Sequence, residues 1–371
     1  MTIDGQIHTV VRDIDNYYFY TCQLIDNSYA AAHMSGTKTN PLLAYLADHS
    51  PASGAELCRY LGITRQALSN RLAPLIASGA VIKTGSTRAA RYYAPDQAPR
   101  GREVSRVLKL HKADEGRVYD EVAARLKLKT SVRANIESIV HYAFTEMLNN
   151  AIEHAHADSA QLRVRLDAGM FFFEIRDHGI GVFHSIADKF SLTDEYAAMV
   201  ELLKGRTTTM PEAHSGEGIF FTSRIADRYV LRSHRIRLEW DHASSDTFVS
   251  EQRFLRGTAV EFTLRRDARR TLEAVFSEFA PEEYDYRFEK TKLLVRLLQQ
   301  EYVSRAEARR LTANLEKFRE VVLDFKDVKS VGQGFADEVF RVFTARHPDT
   351  TVKTVNANPV VLAMLKHAGD G

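Results

Sequence analysis

Cysteine is nearly missing from this sequence: Cys22 and Cys58 are the only two in 371 residues. Two thiols supply neither a disulfide framework nor a four-ligand zinc site by themselves. They suit a chain that folds in a reducing cytoplasm, the localisation expected here. Long hydrophobic runs are missing too. No apolar stretch approaches the roughly 18 residues of a membrane span, so no membrane partner is expected. The N-terminus lacks the basic, apolar and small-residue pattern that marks export. Charge of one sign is also lacking: 50 Lys and Arg oppose 48 Asp and Glu, a net +2, so total charge indicates no partner. No internal repeat and no low-complexity tract is present.

What is there is globular. The chain is 44% hydrophobic and 26% charged, unlike a disordered protein. Its length accommodates two or three domains of roughly 100–200 residues. Residues 1–33 carry the run Tyr17-Tyr18-Phe19-Tyr20 without an amphipathic period, and Met34 opens Met-Ser-Gly-Thr-Lys. They read as an extension upstream of a native start; the alternative is an N-terminal strand pair.

Residues 34–97 are compact. Leu42, Leu43, Leu46 and Ala47 mark a first helix, and Ser50-Pro51-Ala52-Ser53-Gly54 breaks it. Ser53 and Glu56 have the spacing of a capping box for a second helix, which ends at Leu61-Gly62. Thr64 caps a third, with Ala67, Leu68, Leu72, Leu75 and Ile76 at helical spacing. Ser78-Gly79 ends it, and Val81–Lys83 and Arg88–Tyr93 read as a hairpin around Thr84-Gly85-Ser86. Between Leu57 and Pro95 stand Arg59, Arg65, Arg71, Lys83, Arg88 and Arg91, with no Asp or Glu, an asymmetry that favours a polyanion. This helix–turn–helix followed by a hairpin resembles the winged helix-turn-helix family. The resemblance implies DNA as a partner, with Arg65, Gln66, Ser69, Asn70 and Arg71 on the helix that reads base edges. Arg88 and Arg91 would meet phosphate or the minor groove from the wing. The alternative is a winged helix used for protein contacts or dimerisation. Cys58 reads as a small core residue.

Residues 95–103 hold two prolines and a glycine and read as a linker. The charged stretch from about Val104 to Leu128 reads as helical, so that residues 98–130 form a connector and a candidate homodimer helix with no chemistry of its own.

Residues 131–268 carry three short motifs. The first, Glu146-Met-Leu-Asn149-Asn150-Ala-Ile-Glu153-His154, lies in a long helix from Asn135 to His156. There Glu146, Asn149, Asn150 and Glu153 share one arc, and Ile136, Ile139, Val140, Ala143 and Met147 the other. A carboxylate and an amide oxygen one turn apart suit Mg²⁺ or its water shell. The second, Asp177-His-Gly179-Ile-Gly181, follows the strand Met170 to Arg176. Its acid can accept a hydrogen bond from an exocyclic amine, and its glycines admit a close backbone approach. The third, Ser215-Gly216-Glu-Gly218-Ile-Phe-Phe, leads into a helix whose N–H groups suit phosphate. Strands are expected at Leu162–Leu166, Tyr229–Trp240, Thr247–Phe254 and Thr258–Leu264. His154, near the apolar arc, reads as a core histidine, while His178 and His214 lie beside motif glycines.

Together these motifs resemble the GHKL ATPase superfamily of DNA gyrase, the heat-shock-90 chaperones, histidine kinases and mismatch-repair ATPases, nearest its anti-sigma-factor serine kinases. The resemblance covers about 135 residues. It implies a two-layer α/β (Bergerat) sandwich with ATP and Mg²⁺ as cofactors. It implies that Asn150 binds Mg²⁺, Asp177 the adenine amine, and Gly216 and Gly218 the phosphates, with Gly179 and Gly181 shaping the base pocket. Thr258, after Gly257, would reach the adenine through water, and Glu146 would be a general base. The intervening lid, residues 182–215, contains Lys204-Gly205-Arg206-Thr207-Thr208-Thr209, where Lys204 is a candidate phosphate contact and a solvated loop is the alternative. His111, the only histidine of the connector, lacks the surroundings of a phosphoacceptor, so an ordinary histidine kinase is not expected. A slow ATPase, a serine/threonine kinase acting on a STAS-type partner and a binding switch stay open.

Residues 284–371 alternate strand and helix: strands at Lys292–Leu298, Val321–Phe325 and Thr351–Val355, with a capping box at Ser304 and Glu307. Phe335-Ala-Asp337-Glu338 resembles a signature of STAS-like domains, relatives of anti-sigma-factor antagonists, which implies a protein partner. The loop Val331-Gly332-Gln333-Gly334 has no serine where antagonists are phosphorylated, and Ser330 stands a few residues early. Asp337 and Glu338 read equally as acids opening a helix. The expectation is a multidomain α+β regulator: winged helix, GHKL sandwich, small STAS-like domain.

Overall fold

The computed structural model describes residues 40–77, 80–84, 89–99, 101–205, 216–284, 287–297 and 301–369. The readings made for residues 1–33, Ser78-Gly79, the hairpin tip with Arg88, the segment 206–215 with His214, and Ser215 lie outside these. The chain forms two compact units that divide after Pro99, and each is described by itself. Among the described residues no helix is long and apolar enough to cross a membrane.

In the first unit, helix α1 (Pro41–His49) starts where the Asn40 side chain accepts from Leu42 N at 3.0 Å, with proline in the first turn, where no donor is needed. The two-residue strand β1 (Ala52–Ser53) leads into α2 (Gly54–Leu61). The capping box forms: Glu56 N donates to Ser53 Oγ at 3.2 Å and Ser53 N to Glu56 Oε2 at 2.6 Å. Gly62, left-handed at φ 64°, ends the helix. Helix α3 (Arg65–Ala77) opens behind Thr64, whose hydroxyl accepts from Ala67 N. Strands β2 (Ile82–Thr84) and β3 (Arg91–Tyr93) pair antiparallel, and β1 adds to the far edge of β3. Leu42, Leu46, Leu57, Leu68, Leu72 and Val81 make the core between helices and sheet. The segment Ser50–Gly54 is therefore more than a break, although two residues are too few to show a strand's alternation.

The second unit is built on a five-stranded antiparallel sheet in the order β4-β5-β6-β8-β7. Its first strand, β4 (Arg102–Lys109), corrects the helical reading of that stretch. It pairs along its whole length with β5 (Ser159–Leu166) and buries Val104 and Leu108 in alternation. Helix α4 (Glu115–Leu126) follows and buries Val118, Tyr119, Val122, Ala123 and Leu126. Its apolar face therefore packs within the layer. Helix α5 (Ala134–His154) lies across the sheet with Ile136, Ile139, Val140, Ala143, Phe144 and Met147 buried. Then come β6 (Met170–Asp177), α6 (Val182–Lys189), α7 (Glu195–Lys204), α8 (Gly218–Ile225), β7 (Arg228–Asp241) and β8 (Asp246–Arg265). The two late strands expected at 247–254 and 258–264 are one 20-residue strand, bent at Gly257 with φ 79° and bulged against β7 at Ser233–Ile236.

Helix α9 (Leu272–Phe279) leads to a smaller layer. Strands β9 (Lys290–Leu294), β11 (Glu320–Asp324) and β13 (Thr351–Val355) form a parallel sheet in the order β13-β11-β9. The apolar strand expected over 292–298 is thus shifted toward Lys290. A second, two-stranded parallel pair joins β10 (Glu301–Tyr302) to β12 (Ser330–Val331). Helices α10 (Arg305–Thr312), α11 (Gln333–Asp337) and α12 (Pro359–Gly369) complete the layer. Helix α11 opens after Gly332 and runs directly into a π-helical segment, Glu338–Phe343, so Asp337 and Glu338 stand at that junction and not at a free helix start. They pair instead with Arg305, Arg341 and Arg309.

Phe288 joins the two layers. It is 3% exposed, and its ring meets Phe220, Phe221 and Phe318 at centroid distances of 4.5, 5.1 and 5.4 Å. Truncating a buried aromatic costs about 3–5 kcal/mol. Phe288→Ala is expected to lower the unfolding free energy of the second unit by that order, read as a lower denaturant midpoint in chemical unfolding monitored by circular dichroism.

Candidate functional site

The polar arc of α5 faces a cleft of about 300 Å³, within the range of small-molecule sites. Glu146, Asn149, Asn150 and His154 line one side. The helix has this face because the opposite stripe is used up in the core, leaving positions one turn apart to the opening. Asp177 and Thr258 line the other side, and Gly216, Glu217 and Gly218 complete the rim. Between them the surface is apolar: Met147, Ile175, Ile186, Leu202, Leu231 and Val260. Leu231 and Val260 are directly paired across β7 and β8, so one rung of the sheet supplies this floor.

Asp177 ends β6 and is 4% exposed. Its Oδ1 accepts from Gly179 N at 2.9 Å and from Thr258 N at 3.1 Å. Its Oδ2 has no protein hydrogen bond among the described residues, which leaves one acceptor for a ligand. Burial pushes this carboxyl above the ordinary value of 3.8, and the two backbone N–H groups offset part of that rise. The surrounding loop leaves little freedom. A side chain at Gly179 would collide with the Ala155 carbonyl, which also accepts from Ile180 N at 2.9 Å. The Thr258 hydroxyl accepts from Val182 N at 2.9 Å, tying the start of α6 to the bend of β8.

Asn150 Nδ2 is buried without a hydrogen-bond partner. An orphaned buried donor costs about 1–3 kcal/mol, and the amide is open to a ligand in either orientation. Glu146 sits against the start of α8, where its carboxylate leaves no room for a Cβ on Gly218. The described lining thus holds three carboxylates, Glu146, Asp177 and Glu217, and no Lys or Arg. A polyphosphate fits such a wall only with a cation between them. The hard oxygens of Glu146 and Asn150 suit Mg²⁺, which takes one or two protein ligands and completes its shell with phosphate and water. Flat apolar walls beside a carboxylate acceptor suit a purine base.

Of the residues singled out by sequence, Glu146, Asn150, Asp177, Gly216, Gly218 and Thr258 come together on this cleft. Gly179 and Gly181 back it without lining it, Gly181 as the residue before α6. Lys204 requires a correction. It is fully buried away from the cleft, its ammonium bonded to Glu201 and to the carbonyls of Arg310 and Ala313. A lone cation amid the apolar face of α7 must find acceptors, and these lie in the C-terminal layer. His154 is a lining residue rather than a core one; its signal was its place one turn after Asn150. His178 is exposed. Glu217 lies inside the third motif but had no role assigned to it, and Leu202, Leu231 and Val260 carried no motif to mark them.

In the first unit, Arg65, Gln66, Ser69, Asn70 and Arg71 are all exposed on the first two turns of α3, opposite buried Leu68 and Leu72. Gln66 Nε2 donates to Asn70 Oδ1 at 3.4 Å. Arg91, on β3, is exposed as well. Ser330 pairs with Glu301 in the β10–β12 ladder.

The layer that carries the cleft matches the family model described as the histidine kinase-like ATPase domain, over residues 111–239. The first unit matches the MarR family over residues 41–91. The smaller layer matches a STAS-like domain of unknown function over residues 307–362. No curated protein matches the sequence. The chain therefore carries, in order, a MarR-type winged helix, a histidine kinase-like ATPase domain and a STAS-like domain. The sheet of the ATPase layer extends beyond its match on both sides, through all of β4 and all of β8.

The buried charge of Asp177 gives a pH-dependent expectation. With its folded pKa raised, ionisation destabilises the ligand-free protein. That penalty is absent below the ordinary carboxylate pKa and complete above the raised one. Asp177→Asn keeps an acceptor for both N–H groups and removes the charge. The ligand-free variant is expected to melt above wild type at pH 7, with the difference shrinking toward pH 4, as measured by differential scanning calorimetry.

Proposed function

We propose that this chain is an ATP-binding regulator that acts on DNA, with its magnesium–nucleotide site in the α5–β6–α8 cleft. One observation carries the reading: Asp177 and Asn150, 27 positions apart by their numbers, line a single cavity. Asp177 Oδ2 would accept the exocyclic amine of adenine, and Thr258 would support the same edge through water. Ile175, Leu231 and Val260 would pack on the base. Asn150 would offer its amide oxygen to Mg²⁺, which neutralises phosphate charge when bound. Gly216 and Gly218 would present backbone N–H groups to the phosphates. The α3 face from Arg65 to Arg71 would enter the major groove, with Arg91 on the backbone.

The position of Glu146 beside Gly218 favours a second reading, in which ATP is consumed. There the carboxylate would orient or deprotonate a water, or the hydroxyl of a serine or threonine on a STAS-type partner. The expected result with terminally labelled ATP separates the three: free phosphate for an ATPase, label on protein for a kinase, neither for a binding switch.

A ligand present at 100 times its Kd stabilises by about 2.7 kcal/mol, so wild type is expected to show a thermal shift with Mg·ATP that Asn150→Ala loses. An equal shift in both proteins sinks the metal assignment. For the winged helix, combining Arg65→Ala with Arg71→Ala is expected to weaken DNA retention in gel-shift assays ~10-fold or more.

A further inference from the structure

Helix α7 has two separate neighbours. At Leu202 it walls the cleft, while at Lys204 it ends inside the STAS-like layer. Among the described residues, the side-chain hydrogen bonds at that end cross between layers or brace one that does. Lys204 Nζ donates to Ala313 O at 2.8 Å and Arg310 O at 3.2 Å, the terminal carbonyls of α10. It also donates to Glu201 Oε1 at 2.5 Å, and Glu201 Oε2 accepts from Asn314 Nδ2 at 3.0 Å. The Thr291 hydroxyl, on β9, donates to Lys204 O at 2.7 Å. Leu203 and Leu311 line the same small void beside this cluster.

Neither side is complete alone. The last carbonyls of a helix lack intrahelical donors, and a cation suits them. Burial pulls the pKa of this ammonium, 0% exposed, below its ordinary value, and the Glu201 carboxylate offsets part of that fall. Separating the layers strands both groups away from their partners. Helix α7 therefore keeps its place in the cleft wall only while the STAS-like layer stays seated, or moves by breaking several charge-assisted bonds at once.

We propose that the Lys204–Glu201–Asn314 cluster is a latch through which the STAS-like layer sets how firmly the cleft holds its nucleotide. The seated layer fixes Leu202 against the ligand. A protein that competes for the end of α10 releases α7 and speeds nucleotide loss. By linkage, bound nucleotide strengthens the seating by the same factor. This inference rests on the reading of the cleft as a nucleotide site.

The test uses the full chain with Asn314→Gly, which accommodates the left-handed backbone at φ 60° and removes the whole side chain with its amide, and with Asn314→Asp, which sets a second carboxylate against Glu201. Without nucleotide, hydrogen exchange in residues 195–204 is expected to accelerate about tenfold in Asn314→Gly and further in Asn314→Asp. Release of a fluorescent ATP analogue bound with Mg²⁺ is expected to accelerate in parallel. Unchanged exchange overturns the latch. Faster exchange with unchanged release overturns the coupling and leaves a purely structural contact. Asp177→Asn is the separate control: if it leaves analogue binding intact, the cleft reading fails while the exchange result still judges the latch. Should the Asn314 variants lose their cooperative fold, the isosteric Thr291→Val, which removes one hydroxyl donor, gives the same two readouts.

Discussion

A single buried carboxylate organises the cleft. Asp177 stands at the end of β6, almost out of solvent, and draws two backbone N–H groups toward one of its oxygens. One comes from its own loop and the other from the middle of β8, at the bend made by Gly257. Thr258 then passes the connection to the start of α6 through its hydroxyl. Three elements distant in sequence are thus fixed to one another by a group whose burial is unfavourable in itself. Such an arrangement persists because the rest of the sheet supports it: β6 is paired along both edges, to β5 and to β8. The rigid frame leaves the second carboxylate oxygen without a hydrogen bond among the described residues, beside an apolar floor.

The sequence disclosed those parts whose chemistry is local. The caps at Ser53 and Thr64, the polar arc of α5 and the glycines around Asp177 each have a cause within a few residues, and each was legible. What was not legible depended on partners elsewhere. The stretch from Arg102 to Lys109 is rich in charge because it is an edge strand with one exposed side. That density concealed the alternation of Val104 and Leu108 and suggested a helix. Strand β8 reads as two because Gly257 interrupts it, yet the interruption is a bend that brings Thr258 to Asp177. Lys204 was misplaced for a related reason. A basic residue next to a glycine and a threonine run suggests phosphate, and only the tertiary structure reveals that its acceptors are the carbonyls of α10. The lining residues Leu231 and Val260 are ordinary strand positions until their register is known.

The C-terminal layer is integrated with the ATPase layer at three kinds of contact. Phe288 fills an aromatic junction with Phe220 and Phe221. Asp246, at the turn between β7 and β8, pairs with Arg296 and with Lys326. Lys204 and Glu201 meet the end of α10. Apolar burial supplies most of the cohesion, while the charged contacts fix register, since each ionic group has only one place where its partners are complete.

The buried ammonium of Lys204 also bears on how such a protein can be cut and recombined. A fragment that stops between α9 and β9 would leave a cation facing water on an apolar rim, and a graft of a foreign C-terminal domain would bring no carbonyls to receive it. The junction between these two layers is therefore a seam sewn from both sides, and any exchange of parts across it must carry the stitches of each.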